Sequence, residues 1–373
     1  MLFSARKSGA GPIAVDFGVA QLKVLQLSSP ADGSKPQVIA AFARPTPPEL
    51  ANSPSQRLDH QSQQLTEILK SGSFKGRRAV CSVSSAYTFV QHVQVVRGDA
   101  RSLEPAVAGE VRTLTGREPT QFIVRHAEVC DVARGGAKKT EVICFAMPRE
   151  AVLAHLHALR RCKLDAVGVH CEHLAMVRGV ERFAKTGEAP TLIVDLGYAT
   201  TKIAVTHGTA LRLAKTLPVG GRDLLRKESG AGDEGASASA SERRGLRAQL
   251  QAIESAMSDT GTALAVAAPP VAAASIDPAA LEALADEIAQ CVRYHGALFP
   301  DKKLERALFV GGEAARLDVC KRLARAAGAP AQVADPLAAL GREAGARTDG
   351  IAPGKPSPGW AVALGLGFLP VES

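Results

Sequence analysis

The chain has 373 residues, more than one compact core usually organises, so we expect two or more domains. Its 46% hydrophobic and 22% charged residues are typical of a folded protein rather than a disordered one. The net charge of +8 is scattered and lacks interleaved aromatic residues, which argues against a nucleic-acid partner.

The cysteines and the apolar segments bear on the cellular compartment in which we expect the protein. Seven cysteines form no CxxC pair, so we expect reduced, mostly buried thiols and a cytoplasmic protein. No apolar segment reaches the ~18 residues of a transmembrane helix, and no apolar run of signal-peptide length follows residues 1–11. We therefore expect no direct transmembrane insertion.

The first half of the chain mixes strands and helices. Hydrophobic periodicity predicts strands at 13–17, 22–28, 36–44, 78–84 and 89–96 and a helix at 58–70. Residues 98–167 then form a small α/β unit that looks like an inserted subdomain, with a helix at 103–114, strands at 121–130, 140–147 and 167–169, and a helix at 149–162. A helix at 173–184 follows.

The second half repeats the opening three-strand pattern, which indicates an internal duplication. The predicted elements are strands at 191–196, 201–206, 209–217, 304–310 and 331–333 and helices at 277–298, 317–327 and 360–368. Two low-complexity stretches, at 230–241 and 260–275, are expected to be poorly ordered loops on either side of a helix at 242–258.

The repeated hairpin carries the chemistry. Aligned on Asp16 and Asp195, the two copies share four further positions, namely Val15 with Val194, Gly18 with Gly197, Ala20 with Ala199, and Lys23 with Lys202. Two carboxylates suit a magnesium ion on a polyphosphate, and the glycines let each turn approach a phosphate. A simple tight turn is the alternative for one copy, but two copies with matched flanks favour phosphate binding.

Two glycine pairs follow at turns. Gly220-Gly221 precedes a predicted helix, where free backbone N–H groups bind phosphate, although a plain strand-to-helix turn explains it equally well. Gly311-Gly312 ends a strand, and the exposed backbone there can pack on a purine ring. Each pair alone is a weak signal.

The order of these motifs resembles the actin-like ATPase superfamily, most closely its PilM branch near FtsA. The resemblance lies in IAVDFGVAQLKVLQLS, CSVSSAYTFVQHV, CEHLAMVRGV, TLIVDLGYATTKIAVTHG, TLPVGGRDLL, LFVGGEAARLDVCKRLARAAGAPAQVADPL and WAVALGLGFLP. It implies an α/β, two-lobed actin-like fold (ribonuclease H-like and duplicated) with an inserted 1C-type subdomain. The implied domains are a first lobe (1A) at 11–97 and 168–189, the 1C unit at 98–167, a second lobe (2A) at 190–221 and 304–373, and a 2B-like unit at 222–303.

The resemblance also implies a site and partners. ATP and magnesium would lie between the lobes, with Asp16 and Asp195 holding the metal through water and Asp195 also a candidate for positioning a water. The implied nucleotide-binding residues are Asp16, Gly18, Gln21, Lys23, Asp195, Gly197, Thr200, Thr201, Gly220, Gly221, Gly311, Gly312 and Arg316. The implied partner is the cytoplasmic N-terminal tail of a bitopic, PilN-like inner-membrane protein, which would hold the chain at the inner face of the membrane. Self-association is a further expectation.

Several positions depart from the family pattern. Val19 stands where a small hydroxyl residue is usual, Tyr198 replaces a small residue, and Glu313 adds a charge beside the adenosine glycines. The metal carboxylates are retained and phosphate donors are lost. We therefore expect a nucleotide-binding scaffold of a pilus or secretion machine with slow or no hydrolysis. The alternatives are a pseudo-ATPase adaptor that binds no nucleotide and, less favoured, a small-molecule kinase.

The histidines invite a metal interpretation. His155 and His157 are two apart in a predicted helix and face different directions, and no second pair has ligand spacing. Structural or solvent-facing roles are favoured.

Overall fold

The computed structural model describes residues 9–29, 35–96, 102–134, 137–184, 187–225, 276–338, 340–351 and 355–369. The loops expected at 230–241 and 260–275, the helix expected at 242–258 and most of the 2B-like unit lie outside the described residues.

The strands and helices mostly follow the predicted order. The strands are β1 (Gly9–Phe17), β2 (Gln21–Ser29), β3 (Gln37–Pro45), β4 (Arg78–Val83), β5 (Phe89–Val96), β6 (Phe122–Arg134), β7 (Ala137–Pro148), β8 (Asp165–Cys171), β9 (Pro190–Leu196), β10 (Thr201–His207), β11 (Ala210–Leu217), β12 (Arg306–Val310), β13 (Ala331–Val333) and β14 (Gly341–Asp349). The helices are α1 (Pro54–Lys70), α2 (Glu104–Thr115), α3 (Arg149–Arg161), α4 (Glu172–Ala184), α5 (Pro278–Leu298), α6 (Leu317–Ala327) and α7 (Ala361–Leu366).

The first lobe is built on a six-stranded sheet in the order β14-β3-β2-β1-β4-β8. The strands β1, β2 and β3 form an antiparallel meander, while β4 and β8 run parallel to β1. The central strands are apolar on both faces because each face is covered. On one face Ile13 and Val15 pack with Leu65 of α1 and Leu159 of α3.

The second lobe repeats this plan in a five-stranded sheet of order β11-β10-β9-β12-β13. Its meander β9-β10-β11 is antiparallel, and β12 is parallel to β9 as β4 is to β1. The expected duplication of the meander is therefore confirmed. Leu192 and Val194 pack against Leu281 of α5 and Leu323 of α6.

A three-stranded sheet of order β5-β7-β6 forms the inserted unit, with α2 packed on it through Val107. The sheet pairings differ from the expected lobe boundaries at two points. The strand β5, expected in the first lobe, pairs with β7, and β14, within the range expected for the second lobe, pairs with β3. Periodicity identifies a strand but not its sheet, and β14 is a polar, mostly exposed edge strand without apolar alternation.

Two helices cross at the join between the lobes. A Cβ on Gly179 of α4 would overlap the backbone of Ala361, and a Cβ on Gly365 of α7 would overlap the carbonyl of Ala175. Glycine at both positions lets the two backbones touch. The same hydrophobic cluster contains residues of both sheets, so one core connects the lobes. No described helix is both long and apolar enough to cross a bilayer.

Candidate functional site

Each lobe presents an acid and a lysine from the same hairpin. Asp16 is paired with Lys23 in the β1–β2 ladder, and Asp195 is paired with Lys202 in the β9–β10 ladder. Lys23 Nζ lies 3.7 Å from Asp16 Oδ2, and Lys202 Nζ lies 3.2 Å from Asp195 Oδ2. Both carboxylates are buried. The two hairpins therefore share the pairing of an aspartate with a lysine as well as the sequence motif.

The two turns are tight for the same reason. A Cβ at Gly18 would lie 2.8 Å from the carbonyl oxygen of Gln21, and one at Gly197 would lie 2.7 Å from that of Thr200. Real Cβ atoms do not approach oxygen so closely, so each turn requires glycine. Gln21, predicted as a site residue, thus serves the first turn through its backbone.

Hydrogen bonds orient the peptide that follows each of these glycines. Gln61 Nε2 donates to Gly18 O at 2.7 Å, and Gly221 N donates to Gly197 O at 2.9 Å. In a planar trans peptide the N–H points opposite to the C=O, so the N–H groups of Val19 and Tyr198 point away from these donors. Neither N–H takes part in a hydrogen bond in the described part of the chain. Each turn therefore offers a fixed backbone donor to an anion.

A third carboxylate, absent from the sequence-predicted site, lies with these residues. Glu172 begins α4 directly after β8, and its Oε2 accepts from Ser85 N at 2.8 Å and from Lys202 Nζ at 3.2 Å. The sequence signal that could have identified Glu172 is its position, an acidic residue between the end of a predicted strand and the start of a predicted helix. Because β8 and β4 are parallel, their carboxyl ends meet at one edge of the sheet.

The second hairpin contacts the first lobe across the cleft. Lys202 of the second lobe contacts Glu172 of the first, and the hydroxyls of Ser85 and Thr200 are 3.3 Å apart. Thr201 instead turns away, donating its hydroxyl to Val219 O at 2.8 Å. The structure thus brings Asp16, Lys23 and Asp195 of the predicted site together with Thr200, and it leaves Thr201 in a supporting position.

Burial and neighbouring charges set the ionisation of the cleft. Burial raises the pKa of Asp16 to about 6, against the opposing effect of Lys23. Burial also opposes ionisation of Glu172, but Lys202 and the Ser85 hydrogen bonds outweigh it and lower the pKa of that carboxyl. Burial disfavours the charged form of Lys202, yet Asp195 and Glu172 raise its pKa. Lys202 is therefore held as a cation between Asp195 and Glu172.

The first glycine pair is engaged inside the protein. Gly220 N donates to Asp223 Oδ2 at 2.9 Å, and Gly221 N donates to Gly197 O. A Cβ on Gly220 would overlap the backbone of Tyr198 and Ala199. The N–H of Gly221 thus holds the second turn in place, as Gln61 holds the first, and the N–H of Gly220 is bonded to Asp223. In this structure neither group is open to a phosphate.

The second glycine pair lies beside Asp195, and the side chain of Glu313 occupies part of the space next to it. Gly311 has φ +93° and donates its N–H to Pro358 O at 2.9 Å, and Gly312 packs on Gly359. A Cβ on Gly221 would overlap the carboxyl group of Glu313, so this side chain lies between the two glycine pairs. Burial raises the pKa of Glu313, and the expected nucleotide ligand Arg316 lies 3.8 Å from its Oε2.

Direct coordination of magnesium does not fit the Asp195 side of this cleft. Magnesium requires oxygen ligands at about 2.0–2.1 Å, whereas an ammonium group stands against Asp195 and Glu172. Asp16, with its longer contact to Lys23, is the carboxylate better able to face a metal. Within the described ranges, no cluster of three or more His, Cys, Asp or Glu side chains could hold a metal ion.

The two duplicated sheets and the inserted unit have the actin-like ATPase fold, as the sequence led us to expect. Over 97% of its length the chain is similar to a chain of the "PilM-PilN type IV pilus biogenesis complex", covering 98% of it at 20% identity and a TM-score of 0.65. The resemblance to the PilM branch is thus confirmed at the level of fold. No family model and no curated protein matches the chain.

More distant structures share lower similarity. The ethanolamine utilization protein EutJ from Carboxydothermus hydrogenoformans is 14% identical with a TM-score of 0.44, over 98% of this chain and 91% of that one. A Bacteroides thetaiotaomicron protein with an actin-like ATPase fold and unknown function is 8% identical with a TM-score of 0.44, over 91% and 96% of the chains.

Proposed function

We propose that the protein is an actin-like scaffold of a type IV pilus or related secretion system. In this proposal it binds the phosphate chain of ATP between its hairpins and docks the cytoplasmic tail of a PilN-like membrane partner, and so stands at the inner face of the membrane. The observation that carries the proposal is a pair of equivalent hairpins, each with a glycine turn, a lysine and an N–H that makes no hydrogen bond among the described residues, whose acids Asp16 and Asp195 are close enough to interact electrostatically.

The chain's own groups suit an anion. The N–H groups of Val19 and Tyr198 would donate to phosphate oxygens, and Lys23, paired only loosely at 3.7 Å, would contribute a positive charge. A bound nucleotide would link the lobes, because each turn belongs to a different lobe. This arrangement supports a role for bound nucleotide as a clamp that fixes the two lobes relative to each other.

Rapid hydrolysis is not supported by this geometry. A general base must be free to reach the attacking water. Asp195 and Glu172 are both held by Lys202, and Asp16 faces Lys23. The same argument disfavours the small-molecule kinase, which also needs a base beside its acceptor.

One alternative has a specific observation in its favour. Glu313 lies between the glycine pairs, where the resemblance places the nucleoside, and the N–H groups of Gly220, Gly221 and Gly311 are already bonded. A pseudo-ATPase adaptor, which binds a partner but no nucleotide, is compatible with a cleft filled in this way. Because the two functions differ in nucleotide binding, nucleotide binding and partner binding are tested separately.

A cavity suits the partner's tail. It has a volume of about 390 Å³, within the range of binding pockets, and lies between α1 and α3. Its lining combines apolar and charged side chains, namely Phe17, Pro54, Ser55, Arg57, Leu58, Asp59, Gln61, Ser84, Tyr87, Glu150, Ala151, Ala154, His155, His157 and Arg161. Phe17 follows Asp16, and Gln61 bonds to Gly18, so this wall is continuous with the first turn. A tail bound here would sense the state of the cleft.

The test of nucleotide binding is a calorimetric titration of ATP, with and without Mg²⁺. We expect binding between micromolar and millimolar Kd for the wild type, at least tenfold weaker binding for Lys23→Met, and no dependence on Mg²⁺ for Asp16→Ala. If the wild type binds no ATP at millimolar concentration, the clamp is wrong and the adaptor is the better description.

A further inference from the structure

Lys202 occupies an unusual place. Its ammonium contacts two carboxylates from different lobes, Asp195 of β9 and Glu172 of α4, at 3.2 Å each. All three side chains are at most 7% exposed. Such buried charges persist only when they compensate one another.

Two buried carboxylates that converge on one point need a positive charge there. In proteins that charge comes from a metal ion, a basic side chain or a shared proton, and a metal ion and a basic side chain exclude each other because both need the same oxygen atoms. Glu172 Oε2 has a further donor in Ser85 N, which fixes the carboxylate toward the ammonium. The position between Asp195 and Glu172 therefore suits the lysine ammonium.

The first hairpin provides an internal comparison. Lys23 stands in the same register as Lys202, but among the described residues its ion pair is with Asp16 alone, at 3.7 Å, and its side chain is 13% exposed. Removing Lys23 would leave one carboxylate without its ion pair, whereas removing Lys202 would leave two. The two lysines are thus equivalent in sequence and different in electrostatic role.

We propose that Lys202 is the resident cation of the cleft, standing where a divalent metal would otherwise bridge Asp195 and Glu172. The wild-type protein then has no divalent-metal site at these two carboxylates. This inference rests on the buried ion cluster alone and holds whether or not a nucleotide binds. It explains why Asp195 does not suit a role as a direct magnesium ligand.

The test is a titration with Mn²⁺ alone, followed by electron paramagnetic resonance, in the absence of nucleotide. The wild type should show no Mn²⁺ binding that Asp195→Asn or Glu172→Gln removes. Lys202→Met, which keeps the length of the side chain and loses its charge, should gain saturable Mn²⁺ binding. Adding Glu172→Gln to Lys202→Met should abolish it, and Lys75→Met, which removes an exposed lysine from an ion pair with Glu343, should behave as the wild type.

Stability supplies an independent readout. Lys202→Met leaves two buried carboxylates unpaired, so its Tm should fall by roughly 5–15 °C and Mn²⁺ should restore part of it. The Tm of the wild type should not respond. The proposal is overturned by wild-type Mn²⁺ binding that depends on Asp195 and Glu172, or by a folded Lys202→Met protein that binds no Mn²⁺. Should Lys202→Met fail to fold even with Mn²⁺, the wild-type titration alone decides between these outcomes.

Discussion

The ammonium of Lys202 lies 3.2 Å from the carboxylate of Asp195, directly across the β9–β10 ladder. Lys23 and Asp16 repeat this pairing in the other lobe at 3.7 Å. The duplicated hairpins therefore have the same strand register but differ in the distance between lysine and carboxylate. In the second hairpin Lys202 also contacts Glu172, so the first hairpin is the more open half of the cleft.

Removing the Glu313 carboxyl group should tighten nucleotide binding. This side chain lies against Gly221, in the space between the two glycine pairs, and adds a negative charge there. We expect Glu313→Ala to lower the Kd for ATP by about tenfold, which corresponds to ~1.4 kcal/mol. Calorimetry at neutral pH measures it.

Asp318→Ala is the control for this effect. It removes the same charge from an exposed position on α6. Equal gains in the two variants would mean that overall charge, and not the filled space, limits binding. No gain in Glu313→Ala would refute the role of this side chain.

The helix crossing should tolerate no larger side chain. A Cβ on Gly179 would overlap the backbone of Ala361, so Gly179→Ala must push α4 and α7 apart. We expect a loss of about 1–3 kcal/mol in the free energy of unfolding, measured with urea. Gly296→Ala, in α5 with no atom near the new Cβ, should be neutral or stabilising by up to ~1 kcal/mol. Similar losses in both would contradict the close crossing.

His155 should make the protein sensitive to acid. Burial lowers its pKa to about 4, below the unfolded value of 6.5. The folded state therefore resists protonation, and the stability present above pH 6.5 is lost as the pH falls toward 4. Between pH 7.5 and 5.0 the contribution is about 2 kcal/mol.

Urea unfolding at these two pH values checks this prediction. His155→Leu should reduce the loss of stability on acidification by about 2 kcal/mol. His157→Leu, two residues away and exposed, should keep the wild-type loss. An unchanged loss in His155→Leu would show that other groups dominate.

Blocking the cavity should prevent docking of the partner. Ala154 lines the cavity on α3, whereas the neighbouring Leu153 is 44% exposed and does not line it. Ala154→Arg should therefore weaken binding of a synthetic peptide of the membrane partner's cytoplasmic tail at least tenfold. Leu153→Arg should leave the affinity unchanged. The reverse pattern would move the docking site to the outer face of α3.

Much of the fold was predictable because its strands are apolar and repeat. The meanders at β1-β2-β3 and β9-β10-β11 were predicted to within a few residues, and the equivalence of Asp16 and Asp195 followed from their flanks. The edge strand β14 was missed because its residues are polar and exposed. A strand of that kind is defined by its partner and not by its own pattern.

The site was predictable only in part. The sequence identified Lys202 as the counterpart of Lys23, but its second partner, Glu172, lies 30 residues away and meets it only through the fold. The glycine pair at 220–221 was expected to bind phosphate, yet the N–H of Gly221 holds the turn at Gly197. Glu313 was recognised as a charge, and only the structure places it between the glycine pairs.

The central claim is that both hairpin turns bind one phosphate chain. Amide hydrogen exchange at residues 19–20 and 198–199 tests it most directly, because the N–H groups of Val19 and Tyr198 make no hydrogen bond to any part of the chain that the structure describes. On addition of saturating ATP we predict slower exchange at both turns together. Protection at neither turn, or at one turn only, would contradict the account.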